Sequence, residues 1–219
     1  MSIAETDLRV FLSKDSDLPP DVIFLVQGED GENGGGEEIG AHRLFLAAVS
    51  PVFRGMFFGL IRETAEVIEV KETTPEAFNT MIRYVYKPPG DDFNLNHISC
   101  PQKLFELLTL ADKYQISSLA TMTADALKSL SITRDNMIFT ATVGKNYRNA
   151  FEDVSTRVLE KCVKFLYETT SGAADVFALI NETVANFPSA NLDILRYLMD
   201  VNASLQPPGL VVRNITVIL

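Results

Sequence analysis

AHRLFLAAVSPVFRGMF, residues Ala41 to Phe57, is the stretch whose reading decides the fold. Leu44, Phe45, Leu46, Ala47, Ala48 and Val49 form an unbroken apolar block. Such a block is too wide for the single stripe of a surface helix, so a first helix is expected at the centre of a core. Ser50-Pro51 reads as an N-cap followed by proline at the first helical position, where its missing N–H costs nothing. Val52, Phe53, Met56, Phe57 and Leu60 then recur on one helical face, which predicts a second helix carrying Leu60 on its buried side. Two short helices meeting at a capped corner make a helical hairpin core.

Strands are expected on both sides of this hairpin. Upstream, Pro19-Pro20 stops any helix, and Asp21 to Gln27, DVIFLVQ, is β-branched and apolar, the composition of a buried strand. Residues 1–18 are mixed; Leu8, Val10 and Leu12 alternate with Arg9 and Phe11 and fit a short strand or the end of a helix. Gly28 to Gly40 is rich in Gly and Glu and reads as a long connection leading to a short strand near Ile39. Downstream, Glu66 to Val70, EVIEV, is a strand. Thr74-Pro75-Glu76 opens a helix with a cap, a proline and an acid in its first turn, and Phe78, Met81, Ile82 and Val85 make its buried face. Lys87 to Gly90 ends it. After a polar loop holding His97 and Cys100, Leu104, Leu107, Leu108 and Ala111 repeat the helical spacing, and a further helix is expected over Ser117 to Leu127.

From Ser131 onward strand signals fade. Four helical faces follow: Met137, Ile138 and Ala141; then Val154, Val158, Leu159, Cys162, Val163 and Leu166; then Val176, Leu179 and Ile180; then Leu192, Leu195, Leu198 and Met199. They predict a small array of antiparallel helices. Gln206 to Gly209 reads as a linker, and Leu210 to Leu219 as an apolar, strand-like tail.

Bulk properties narrow the function. The chain of 219 residues, 47% of them hydrophobic, can bury a sizeable core and is not expected to be disordered. A formal charge of −10 without a Lys/Arg cluster speaks against nucleic acid and against anionic membrane, both of which need a basic face. Two cysteines, Cys100 and Cys162, make no disulfide framework and fit a reducing compartment. No signal peptide and no span long enough to cross a bilayer is read, so a cytoplasmic protein is expected, with a nuclear location also open.

Chemistry is not indicated. His42 has no convergent partners in sequence and reads as a core histidine donating a hydrogen bond. His97 and Cys100 are two candidate ligands, too few for a zinc site. GENGGGEE is too acidic to cradle phosphate, and no G-x-S-x-G elbow occurs. No enzyme activity, cofactor or metal is expected.

The same residues carry a family resemblance. Asp21-Val22, Ala41-His42-Arg43, Leu46-Ala47-Ala48, Ser50-Pro51-Val52-Phe53 and Met56-Phe57, in that order, resemble the signature of the BTB (or POZ) domain, and LLTLADKYQISSL (Leu107 to Leu119) resembles its closing helix. The helical array resembles the BACK region that follows BTB domains in ubiquitin-ligase adaptors. The fold implied is α+β: a BTB/POZ helical cluster with a small sheet, then an all-α BACK-like region. The implied divisions are 1–18, an N-terminal segment; 19–128, the BTB/POZ domain; 129–205, the BACK-like region; and 206–219, linker and tail. BTB domains have a tight turn where Gly28 to Gly40 stands, so that loop is an insertion.

The resemblance implies a homodimer and a cullin-three-type partner. In the family a buried Asp and a basic residue after Ala-His line a charged pocket near the two-fold interface; the matching positions are Asp21 and Arg43. The other reading is that Asp21 caps the start of the strand and Arg43 is solvated. Cullin-binding members carry a hydrophobic-x-Glu motif after the Met-Phe helix, matched by Ile61-Arg62-Glu63, with Phe58 as an exposed neighbour and Tyr86, at the end of the next helix, extending the patch. The other reading is an ordinary loop whose isoleucine closes the core. The function implied is an adaptor linking an unknown protein substrate to a RING ubiquitin ligase. Adaptors of this type carry a substrate module such as a MATH domain or a Kelch propeller; the substrate site is left open between the helical half, the acidic loop and a C-terminal region outside this sequence. A BTB-mediated assembly scaffold without a ligase role is the alternative.

Overall fold

The computed structural model describes residues 8–12, 18–28, 36–88 and 91–169. The chain divides into two compact units, Met1–Ala126 and Leu127–Leu219.

The first unit is built on a three-stranded sheet. Strand β1 (Val22–Val26) lies in the middle, between β2 (Glu37–Ala41) and β3 (Val67–Val70). β1 pairs antiparallel with β2, Phe24 opposite Ile39, and parallel with β3, Phe24 opposite Ile68. Along β1 burial alternates, with Val22, Phe24 and Val26 fully inside, as a pleat with one face on the core requires. Both outer strands carry exposed carboxylates, Glu37 and Glu38 on β2 and Glu69 on β3, which discourage further strands from adding to the edges.

Between β2 and β3 the chain makes the expected hairpin, α1 (Arg43–Val49) and α2 (Pro51–Phe58). The Ser50 side chain accepts the Phe53 N–H at 3.1 Å, and Pro51 sits in the first turn. The same hydroxyl donates to the Tyr114 carbonyl at 2.5 Å, fastening the corner to the end of a later helix. α3 (Pro75–Val85) is capped by Thr74, and Phe78, Met81, Ile82 and Val85 are all buried, as the spacing predicts. α4 (Pro101–Lys113) packs on α3, and α5 (Ser117–Ser129) carries the chain into the second unit.

The core is aromatic. Phe53 lies 4.2 Å from Tyr114 and 6.0 Å from Phe24, centroid to centroid, and Phe24 lies 5.0 Å from Phe78. These rings join the sheet, α2, α3 and the end of α4. Each buried Phe stabilises by about 1.5–3 kcal/mol through area alone, and stacked or tilted pairs add about 0.5–1.5 kcal/mol.

Two expectations about the hairpin are corrected. α1 is not surrounded by core: Leu46 and Ala47 are buried, but Leu44, Ala48 and Val49 are exposed. An apolar run fixes how much greasy surface a helix has, not how much its own chain covers. α2 ends at Phe58, so Leu60 lies beyond the helix, fully exposed. The stop is Gly59, whose N–H bonds the Gly55 carbonyl at 3.0 Å; a Cβ there would stand 2.3 Å from that oxygen. In addition, the strand expected near Ile39 already begins at Glu37, inside the stretch read as loop, and residues 8–12 form a short 3-10 helix.

In the second unit α6 (Met137–Asn146) packs against α7 (Glu152–Thr169). Met137, Ile138 and Ala141 meet Leu159, Cys162, Val163 and Leu166 in one cluster, so both predicted faces are buried. The Lys161 ammonium donates to the carbonyls of Lys128 and Leu130, satisfying groups left open where α5 ends. The third and fourth predicted helical faces and the apolar tail lie outside the described residues.

Candidate functional site

The candidate site is the connector from the end of α2 to β3. Its apolar side chains stand outward: Phe58 is 58% exposed and Ile61 96%, with Leu60 beside them. Isolated exposed apolar residues need no explanation, but Phe58 at the end of α2 and Leu60 and Ile61 just after it put three within four positions.

The connector is held on its inner side. Glu63 N–H donates to the Met56 carbonyl at 2.7 Å, turning the chain back on the open end of α2. One Glu63 carboxylate oxygen accepts the Ala65 N–H at 2.9 Å. Arg43, the first residue of α1, then reaches across. Its Nη1 donates to the Glu63 carbonyl at 2.9 Å, its Nη2 to the Ala65 carbonyl at 2.6 Å and its Nε to the Asp21 carbonyl at 3.2 Å. The guanidinium also lies over the Phe57 ring, 5.1 Å from the centroid. Asp21 in turn accepts the Arg43 backbone N–H through its carboxylate at 2.7 Å, capping the first turn of α1 from the start of β1. Asp21, Arg43 and Glu63 are therefore brought together, with Phe58 at the end of α2 and Ile61 on the connector.

Tyr86 stands apart from this surface. It is 0% exposed, and its hydroxyl accepts the His42 backbone N–H and meets His42 Nδ1, both at 2.7 Å. His42 Nε2 faces the carbonyls of Leu18 and Pro19 at 3.2 and 3.1 Å. Two carbonyls can only accept, so Nε2 carries the proton and Nδ1 accepts from Tyr86. Burial pushes the Tyr86 hydroxyl well above the usual tyrosine range, so it stays protonated and able to donate. His42 is the core histidine expected from the sequence. Phe11 and Phe45 close the pair, with ring centroids 6.3 and 5.4 Å from His42.

A second exposed apolar area lies on α1, where Leu44 is 66% exposed and Val49 is partly so; Leu18, before β1, is exposed as well. The sequence reading placed Leu44 and Val49 in the core and Leu60 on a buried face. Gly59 was the available signal for Leu60, since a glycine after an apolar helical face marks a C-terminus. Among the described residues no group of three or more His, Cys, Asp and Glu side chains could hold a metal ion, and no helix is long and apolar enough to cross a membrane. His97 is exposed, and Cys100 stands at the N-cap of α4.

Residues 12–131 match the model of the BTB/POZ domain family. Over 216 residues the chain is 26% identical to BTB/POZ and MATH domain-containing protein 4 of Arabidopsis thaliana, covering 91% of this chain and 44% of that protein. Over 141 residues it is 31% identical to TD and POZ domain-containing protein 4 of Mus musculus, covering 63% of this chain and 36% of that protein. A solved structure, the BTB domain of zebrafish PATZ1, aligns at 24% identity over 50% of this chain and 75% of that one, with a TM-score of 0.37. The chain spans less than half the length of these two curated relatives. The chain belongs to the BTB/POZ domain family.

Proposed function

From that membership we propose that the protein is a self-associating adaptor that docks on a cullin-three-type scaffold and brings a protein substrate to a RING ubiquitin ligase. The observation that carries the reading is the outward, anchored connector: Phe58, Leu60 and Ile61 are exposed, while the chain just after them is hydrogen-bonded from behind at the Glu63 and Ala65 carbonyls. Ile61 and Phe58 are the anchors that enter an apolar groove on the partner, and the free side of the Glu63 carboxylate pairs at its rim. Tyr86 contributes from within, by fixing the corner between β2 and α1 through His42. Self-association uses the exposed side of α1, with Asp21 and Arg43 at its edge; a two-fold contact uses one apolar patch twice. The protein does no chemistry on this reading. It raises the concentration of substrate near the ligase, and two copies add avidity. The second unit is read as BACK-like on the packing of α6 against α7. The site of action is the cytoplasm, extending to the nucleus.

The test is a binding titration of the full chain with the N-terminal region of a cullin-three-type scaffold. Ile61→Asp combined with Glu63→Ala is expected to weaken binding at least roughly 30-fold, the loss of one apolar anchor and one charged contact, with the melting temperature unchanged. Unchanged affinity in the folded double variant would remove the connector from the interface. The exposed α1 face favours one other reading, a BTB-mediated assembly scaffold with no ligase role. A wild-type dimer that does not bind the cullin supports it.

A further inference from the structure

We propose that Arg43 is a positioning residue: its guanidinium clamps the connector 59–66 and so sets the presentation of Ile61, in addition to any place it has at a two-fold contact. The proposal rests on the docking reading above for its consequence, but not for its geometry.

A connector outside any ladder leaves its carbonyls without partners, and water or a side chain must satisfy them. Here one side chain does so. The three Arg43 donors reach three carbonyls from two separate segments, Asp21 on one side and Glu63 and Ala65 on the other. The Phe57 ring lies under the guanidinium, 5.1 Å from its central carbon to the ring centroid, and the carboxylate of Asp21, on the Arg43 backbone N–H, holds the backbone from which the side chain leaves. Such a fan of bonds requires a planar fork with several donors. A lysine ammonium is a compact point charge on a flexible stem and cannot hold the same directions at once. Glu63, the residue read as pairing with the partner, has its carbonyl in this clamp and its N–H on Met56. Its side chain therefore leaves from a backbone held on both sides. A docking loop fixed before encounter gives up less conformational freedom on binding.

The experiment compares wild type, Arg43→Lys and Arg43→Ala as full chains in three measurements: amide hydrogen exchange, light scattering, and binding to the cullin N-terminal region. In wild type the amides of Glu63 and Ala65, which bond Met56 and the Glu63 carboxylate, should be protected. Arg43→Lys should lose roughly ten-fold of that protection while the β1–β2 amides and the melting temperature stay unchanged. Affinity for the cullin should fall by roughly ten-fold, the scale of ordering one or two loop residues on binding. Retained protection at Glu63 and Ala65 in Arg43→Lys overturns the clamp. Lost protection with unchanged affinity overturns its role in presentation. A fall to monomer in Arg43→Lys with the protection of Glu63 and Ala65 retained overturns the assignment by placing the guanidinium's work at the two-fold contact alone. If wild type does not bind the cullin, the docking reading fails, and the clamp is decided by the protection of the two amides alone. Should Arg43→Ala fail to fold, Arg43→Lys carries the comparison.

Discussion

Ser50→Ala is expected to cost about 1.5–5 kcal/mol, because one hydroxyl serves two elements, the first turn of α2 and the end of α4. Ser50 is completely buried. Its oxygen accepts the Phe53 N–H in the first turn of α2 and donates its own proton to the carbonyl of Tyr114 at the end of α4. Losing an N-cap to alanine costs about 0.5–2 kcal/mol. Depriving a buried carbonyl of its donor costs about 1–3 kcal/mol more. Against a total of about 5–15 kcal/mol for a domain, the sum is a large share, and it corresponds to a fall in melting temperature of roughly 10 °C. Urea unfolding followed by circular dichroism measures it, with the slope expected to stay unchanged. Ser50→Gly separates the two parts. Glycine substitutes for a capping side chain at a cost of only a few tenths of a kcal/mol, so about 1–3 kcal/mol should remain lost with the Tyr114 bond. A loss under about 1 kcal/mol for alanine, or wild-type stability for glycine, would mean that the corner is not fastened to α4, and would refute the reasoning.

Two further outcomes follow from single residues. Gln115 closes α4 in the left-handed region with φ of 52°, so Gln115→Gly should stabilise the chain by about 0.5–1 kcal/mol, read as a higher urea midpoint; an unchanged or lower midpoint would show that its side chain holds the turn. Burial pushes the Cys162 thiol up from 9.0 to about 12, with the neighbouring Lys161 opposing. The native state thus holds the proton more tightly than the unfolded chain, so the stability it contributes is complete below about pH 9 and is lost as pH rises toward 12. A thiol reagent at pH 8 should label Cys100 in the native protein and Cys162 only in denaturant; equal native labelling would contradict the burial.

Much of the fold is legible because its signals are local. Ser50-Pro51 and Thr74-Pro75 each place a cap and a first-turn proline, and both helices start there. The spacing of Phe78, Met81, Ile82 and Val85, and that of Val154 through Leu166, fixes which sides face inward whatever lies opposite. The alternation along β1 likewise follows from its own residues. The site is less legible because it depends on pairs far apart in the chain. Nothing in the local pattern joins Arg43 to the carbonyls of Glu63 and Ala65, 20 and 22 residues away, or the His42 ring to the Tyr86 hydroxyl. Tyr86 follows Ile82 by one helical turn, a spacing that agrees with its burial, whereas family resemblance set it beside a surface patch. The exposure of Leu44 and Val49 was hidden for a different reason: periodicity counts apolar residues but does not tell whether the chain itself or a second molecule covers them. Leu60 was misplaced by continuing a period past the glycine that ends it.

The most direct measurement of the adaptor reading is light scattering on the purified chain, alone and mixed with the N-terminal region of a cullin-three-type scaffold. A dimer that moves to a two-to-two complex is the expected result. A chain that stays at its own mass in the mixture, with the cullin fragment running separately, would contradict it.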